Sequence, residues 1–190
     1  MHDRGPWKVI DSREVYRDPW IAVQIDEVIR PDGKPGTHSI INLKPGVCVI
    51  ALDGDGHVHL TEEFHYAVGR VTLEGVSGGI DADEDALEAA KRELREELGI
   101  VANRWTELGC VDPFTAIVLS PTRLFLAEDL SFGETSHEGT EQIRRVRMSL
   151  EDAIAKLLAS EITHGPTCVA LLRVHLLRSS FSARAGPCER

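Results

Sequence analysis

Between Glu84 and Leu98 the chain changes its hydrophobic period, and that change limits what it can become. Leu87, Ala90, Leu94 and Leu98 recur at three- and four-residue intervals, the spacing of one buried stripe along a helix. Gly99 follows directly and is the natural stop. On both sides of this segment the apolar residues alternate or run together over short stretches, as strands do. A helix with one apolar stripe and a sheet with a face to bury satisfy each other, so the chain reads as α/β (α+β), a sheet covered by helices.

The predicted strands are Val9 to Tyr16, Trp20 to Ile29 with Ile21, Val23 and Ile25 alternating, Thr37 to Leu43, Val47 to Leu52, His57 to Glu63, Thr106 to Val111, Thr122 to Ala127 and Gln142 to Met148. The stretch Arg30 to Gly36 is dense in Pro and Gly and reads as a hairpin loop. Lys44-Pro45-Gly46 is a plausible boundary, giving an N-terminal strand region at 1–45 and a larger domain at 46–178. Ser149 is the expected N-cap of a second helix, Leu150 to Ser160, and a third helix is expected from Thr167 to Arg178. Residues 179–190 are small and polar and read as a flexible tail.

Charge and cysteine usage narrow the partners. Twenty-one Lys and Arg against thirty-one Asp and Glu leave a formal charge of -10 on 190 residues. That balance argues against a surface that tracks nucleic-acid phosphates. No apolar run approaches the ~18 residues that span a bilayer, and Met1 to Trp7 lacks the basic start and apolar run of a signal peptide, so a cytoplasmic protein with no membrane contact is expected. Cys48, Cys110, Cys168 and Cys188 form no paired spacing and are read as reduced thiols. His57 and His59 lack a third metal ligand and are read as surface histidines.

Glu93 and Glu97 fall ~40° apart on one flank of the buried helix stripe, with Glu96 further round. Such a like-charge pair costs a few tenths of a kcal/mol in an isolated helix, a penalty that a hard divalent cation with oxygen ligands reverses. Charge alone favours a solvated helix face, but the wider spacing does not. Gly78, five residues, Glu84, seven residues, then Arg92-Glu93-Leu94-Arg95-Glu96-Glu97-Leu98-Gly99-Ile100 matches in full G-x5-E-x7-R-E-U-x-E-E-x-G-U, with U aliphatic. Chance would give this on the order of 10⁻⁸ per window. The segment resembles the box of the Nudix hydrolases, strictly from Gly78 to Ile100 and more loosely from Trp7 to about Leu177.

Two further segments resemble the ADP-ribose pyrophosphatase subfamily. Glu74-Gly75-Val76-Ser77-Gly78 is similar to its E-L-P-A-G lead-in, and Thr61 to Arg70 is similar to its E-Q-F-R-Y-x-V-G-R. The resemblance implies a Nudix-type α/β/α sandwich with a small N-terminal β-strand domain that dimerises, hence a homodimer. It implies Mg²⁺, or Mn²⁺, held by Glu93, Glu96, Glu97 and the backbone carbonyl of Ser77. It implies catalytic roles for Glu97, Arg92 and Glu141, with Glu141 as general base and Glu138 and Glu134 as neighbours able to take its place. Arg70, His65 and Glu74 are the implied substrate-binding residues, Arg92 and Arg104 being further candidates for phosphate. Glu84 stays open between a structural and a helix-dipole role. The implied reaction is hydrolysis of ADP-ribose to AMP and ribose 5-phosphate.

The chain departs from that pattern at His65, where the subfamily has arginine, and in the middle of the lead-in. Asp112-Pro113-Phe114-Thr115 and Ser120-Pro121-Thr122 also stand in place of its S-P-G. These departures leave a nucleotide sugar such as GDP-mannose or ADP-glucose as the alternative substrate. Trp20, Tyr66, Trp105 and Phe114 are candidate base-stacking residues, with core packing the default. A non-catalytic ligand-binding module or an isoprenoid isomerase built on the same fold are the other classes. The first usually loses box carboxylates that this chain keeps, and the second would need cysteine in a motif that Cys110 does not sit in.

Overall fold

The computed structural model describes residues 1–136 and 142–184, the last five by their backbone alone. In chain order the strands are β1 (His2–Arg4), β2 (Trp7–Arg17), β3 (Ile21–Ile29), β4 (Pro35–Leu43), β5 (Gly46–Leu52), β6 (His57–His65), β7 (Arg70–Glu74) and β8 (Val76–Gly79). Helix α1 (Ala86–Leu98) follows, then β9 (Ile100–Val111), β10 (Val118–Leu119), β11 (Thr122–Phe132), β12 (Arg144–Ser149), α2 (Leu150–Leu158) and α3 (Gly165–Arg184). Contacts divide the chain into two compact units, Met1–Pro45 with Asp112–Pro121, and Gly46–Val111 with the chain from Thr122 onward.

The smaller unit is one sheet of order β1-β2-β3-β4-β10, antiparallel except for the β10–β4 pair. The Pro- and Gly-rich stretch closes the β3–β4 hairpin as its composition demands, with Gly33 at φ 81 and Arg30 N donating to Lys34 O at 2.9 Å. The phase of β3 differs from expectation. Ile21, Val23 and Ile25 are half-buried, whereas the other face holds the buried Ala22, Asp26 and Val28. Asp26 belongs there because it is satisfied: Ser12 and Gln24 donate to its Oδ1 at 2.7 and 2.6 Å, and Arg4 lies 3.6 Å from Oδ2.

The larger unit is built on a sheet of order β12-β6-β5-β11-β9, with β7 pairing β6 and β8 pairing β5. Its centre explains the unbroken apolar run from Val47 to Leu52. Alternate residues point to opposite faces of a strand, so Val47, Val49 and Ala51 pack with Leu94 and Leu98 of α1. Cys48, Ile50 and Leu52 pack on the other face with Leu150 of α2 and Leu171 of α3. The sheet thus lies between α1 and the α2/α3 pair, a mixed α and β architecture.

Boundaries follow local chemistry. Asp85 caps α1, its Oδ1 accepting from Leu87 N at 2.8 Å, and Gly99 ends the helix in the left-handed region at φ 62. Ser149 caps α2 as expected, accepting from Asp152 N at 3.0 Å. The third helix is longer than expected and runs through Ser179 to Arg184, across the start of the supposed flexible tail. Among the described residues no helix is long and apolar enough to cross a membrane.

Candidate active site

β8 runs antiparallel to β5 and hands the chain to α1 through residues 80–85, and Arg92 and Glu93 of the helix lie beside Gly79 and Gly78. Gly78 and Gly79 are strand residues of β8, and the reason for glycine at 78 is close approach. A Cβ built there would fall inside the carboxylate of Glu93. Arg92 organises what surrounds it. Its Nε and Nη2 donate to the two oxygens of Glu84 at 2.9 and 3.0 Å, Nη1 donates to Glu93 at 2.7 Å and Glu96 at 3.3 Å, and Nη2 also reaches Gly79 O at 2.9 Å. The paired hydrogen bonds that Arg92 donates to Glu84 raise the Arg92 pKa above its usual range, against burial, and Glu93 adds to the effect. Glu84 is therefore the carboxylate that fixes Arg92, and its Oε2 also accepts from Asp81 N at 3.0 Å.

Glu97, on the flank of the apolar stripe, is 9% exposed. Three carboxylates and a neighbouring backbone carbonyl are hard oxygen donors, the set that Mg²⁺ or Mn²⁺ takes, and the missing Cβ at Gly78 is the space that lets Glu93 lie against β8. The donor chemistry fits a hard divalent cation. Among the described residues no three His, Cys, Asp or Glu side chains are gathered as a metal cage; Arg92 stands between Glu93 and Glu96 instead. The segment after β11 is tied to the same helix, with Gly133 N donating to Gly99 O at 2.7 Å and Ser136 N to Glu96 O at 2.9 Å. Glu134 is exposed on that segment. Glu138 and Glu141 lie outside the described residues.

The remaining site residues meet in a second cluster. His65 and Arg70 are directly opposite each other in the β6–β7 hairpin, and Thr61 is opposite Glu74, so Thr61, His65, Arg70, Thr72 and Glu74 share one face. Thr72 donates to Glu74 Oε1 at 2.6 Å, and His65 Nε2 lies 3.3 Å from the same oxygen. The chain entering α3 covers this face: His164 Nδ1 lies 3.1 Å from Glu74 Oε2, and Arg70 donates to Thr163 Oγ1 at 2.8 Å. Thr167, fully buried, accepts from Gly75 N at 2.9 Å. His164 and Thr167 were not singled out from the sequence, since no spacing links them to Glu74.

A NUDIX domain model matches residues 42–167, most of the chain. The chain belongs to the Nudix family. A second model, the nucleoside diphosphate sugar hydrolase N-terminal domain, matches residues 7–41. This Nudix hydrolase is 27% identical to an ADP-ribose pyrophosphatase of Bacillus subtilis, covering 89% of this chain and 92% of the relative. It is 25% identical to an ADP-ribose pyrophosphatase of Mycobacterium tuberculosis, covering 93% and 86%. Its fold matches a crystal structure of an ADP compounds hydrolase with a TM-score of 0.79 at 22% identity, covering 97% of this chain and 99% of that one.

Several side chains of this Nudix hydrolase sit where sequence reasoning did not put them. His59 is 3% exposed rather than a surface residue, because Asp53 accepts from it at 3.1 Å while Arg147 pairs with the same Asp53 oxygen at 2.7 Å. Trp20, Tyr66 and Phe114, with core packing as the default, are exposed, and only Trp105 packs inward, edge-on to Phe125. Arg104 is paired with Glu128 at 2.9 Å.

Proposed function

We propose that this Nudix hydrolase cleaves the diphosphate of ADP-ribose, giving AMP and ribose 5-phosphate, with Mg²⁺ or Mn²⁺ as cofactor. The observation that carries the reading is the packing of Glu93 onto the bare backbone of Gly78, with Arg92 holding Glu84, Glu93 and Glu96 around it. In this reading Glu93, Glu96, Glu97 and the Ser77 carbonyl hold the cation. A divalent ion there supplies charge neutralisation for the diphosphate oxygens and acidifies a water. Arg92 keeps the carboxylates in place, Glu97 and Arg92 serving the reaction from the helix. Glu141 takes the proton of the attacking water, with Glu138 or Glu134 as the substitute. Arg70 and His65 meet the substrate's phosphates, and Glu74 holds His65.

ADP-ribose is favoured because relatives named for that activity align over nearly the whole chain. A nucleotide sugar such as GDP-mannose or ADP-glucose is the second reading, supported by the description of the model matching residues 7–41. A homodimer through the smaller unit fits its exposed apolar side chains, Ile10, Val15, Tyr16 and Trp20. Free Cys48, Cys110 and Cys168 suit a reducing compartment such as the cytoplasm.

The test is product analysis on ADP-ribose, ADP-glucose, GDP-mannose, NADH and dinucleoside polyphosphates, with Mg²⁺, with Mn²⁺ and with chelator, on protein whose sedimentation is measured in parallel. Metal-dependent AMP and ribose 5-phosphate, well above the other products, is the expected result. Preference for a sugar nucleotide would transfer the assignment to the second reading, and no turnover of any compound would end it. A monomer at micromolar concentration would remove the dimer.

A further inference from the structure

Glu74 has more partners than a substrate contact needs. Its side chain is 13% exposed, and both oxygens are occupied from within the chain, Oε1 by Thr72 and His65 and Oε2 by His164. The imidazoles come from opposite sides, one at the end of β6 and one on the segment entering α3. His65 is 41% exposed, whereas His164 is 27% exposed.

The hydrogen-bond chemistry fixes the proton on His164. Its Nδ1 lies 3.1 Å from Glu74 Oε2 and 2.8 Å from Thr167 Oγ1. A bare nitrogen lone pair that close to a carboxylate oxygen is repulsive, so Nδ1 carries the hydrogen, donates it to Thr167 Oγ1 and turns its positive end toward Glu74. Thr167 Oγ1 accepts from Gly75 N, and its own hydroxyl has Cys48 Sγ at 3.7 Å, a thiol that burial pushes up to about 11 and so keeps protonated. Burial lowers the His164 pKa against the upward pull of Glu74, while His65 lowers it further. The neutral Nδ1–H form is the one the cluster holds.

We propose that His164 is a positioning residue for substrate binding: held by Thr167, its Nδ1–H faces and steadies the Glu74 carboxylate, which in turn aims the exposed imidazole of His65 at the diphosphate. One arginine can engage both oxygens of a carboxylate by itself. With histidine at 65 standing against Oε1, the imidazole of His164 faces the second oxygen, Oε2. The proposal rests on the diphosphate-hydrolase reading above.

Asparagine separates this from a packing role, because its amide NH₂ can take the place of the imidazole Nδ1–H, whereas glutamine's reaches the Nε2 position and leucine donates nothing. With ADP-ribose and Mg²⁺, His164→Leu and His164→Gln raise KM roughly ten-fold, the effect of one lost charge–dipole contact to the carboxylate, with kcat within about a factor of three. His164→Asn recovers most of that loss. In a double variant with His65→Ala, His164→Leu adds nothing further to KM, because its effect passes through His65. Equal impairment by Asn and Leu, an effect confined to kcat, or additive effects in the double variant would overturn the proposal.

A second measurement is independent of turnover: inorganic pyrophosphate is titrated while the His65 ring resonances are followed by NMR. The wild-type response weakens in His164→Leu and returns in His164→Asn, with melting curves confirming that each variant is folded. An unchanged His65 response in His164→Leu overturns the proposal. Failure of wild type to hydrolyse ADP-ribose or any other compound of the panel counts against the function reading alone.

Discussion

The two polar clusters of the larger unit hold carboxylates by different means. Around α1 one guanidinium serves three of them: Arg92 reaches Glu84, Glu93 and Glu96, all within 13 residues of chain. Around Glu74 the partners are one hydroxyl and two imidazoles, brought from β7, β6 and the segment entering α3. The first cluster concentrates negative charge and keeps a permanent cation, an arrangement suited to exchanging protein contacts for a divalent ion. The second surrounds a single carboxylate with groups from three segments and leaves one imidazole half exposed, which suits holding a binding group still. Proximity in sequence goes with chemistry, and assembly from distant segments goes with orientation.

Gly78→Ala tests that division most strongly. The added methyl displaces the Glu93 carboxylate, which is the far end of a flexible side chain, so the fold can yield while the site cannot. kcat should fall by about 10²-fold with a melting temperature within a few degrees of wild type. An active Gly78→Ala enzyme would show that Glu93's place against β8 is incidental. Arg92→Lys comes next, keeping the charge but losing the fork that binds Glu84 through two parallel bonds. It should cost about ten-fold in kcat/KM and about 1–3 kcal/mol of stability, because Glu84 and Glu93 are both mostly buried. Full activity with lowered stability would make Arg92 a structural residue only.

The same division explains what the sequence disclosed. Helix period and capping are local, so α1, its Gly99 stop and the Ser149 cap are legible from a few residues each. The carboxylates follow because 3.6 residues per turn converts spacing into geometry. β7 and β8 are not legible: they are short, glycine interrupts the segment, and their pairing with β6 and β5 is a tertiary fact. His59 is unreadable for a similar reason, since its burial depends on Asp53 and on Arg147, 88 positions further along (147 − 59). His164 lies 90 positions from Glu74 (164 − 74), and only the packing of the α3 entry on the β6–β7 hairpin joins them.

The smallest predicted effect is one of pH on stability, and it distinguishes the clusters without any substrate. Burial lowers the imidazole pKa of His59 and His164 below the ordinary 6.5, in each case against a neighbouring carboxylate, Asp53 or Glu74. The unfolded chain binds protons at these residues near 6.5 and the folded one only at lower pH, so stability falls as pH drops from there toward the folded values. Asp53 acts at lower pH. Burial would raise its carboxyl, but hydrogen bonds from Arg147, the His57 backbone and His59 hold it below 3.8, so its contribution persists above 3.8 and is lost on stronger acidification. Arg92 keeps its charge throughout and adds no slope in this range. The melting temperature should be flat from pH 8 to about 7 and lower at pH 5.5 by about 2–4 °C, with part of that fall removed in His164→Asn, whose amide does not titrate. An identical fall in His164→Asn would assign the proton uptake to His59 and leave the Glu74 cluster as insensitive to pH over this range as Arg92 itself.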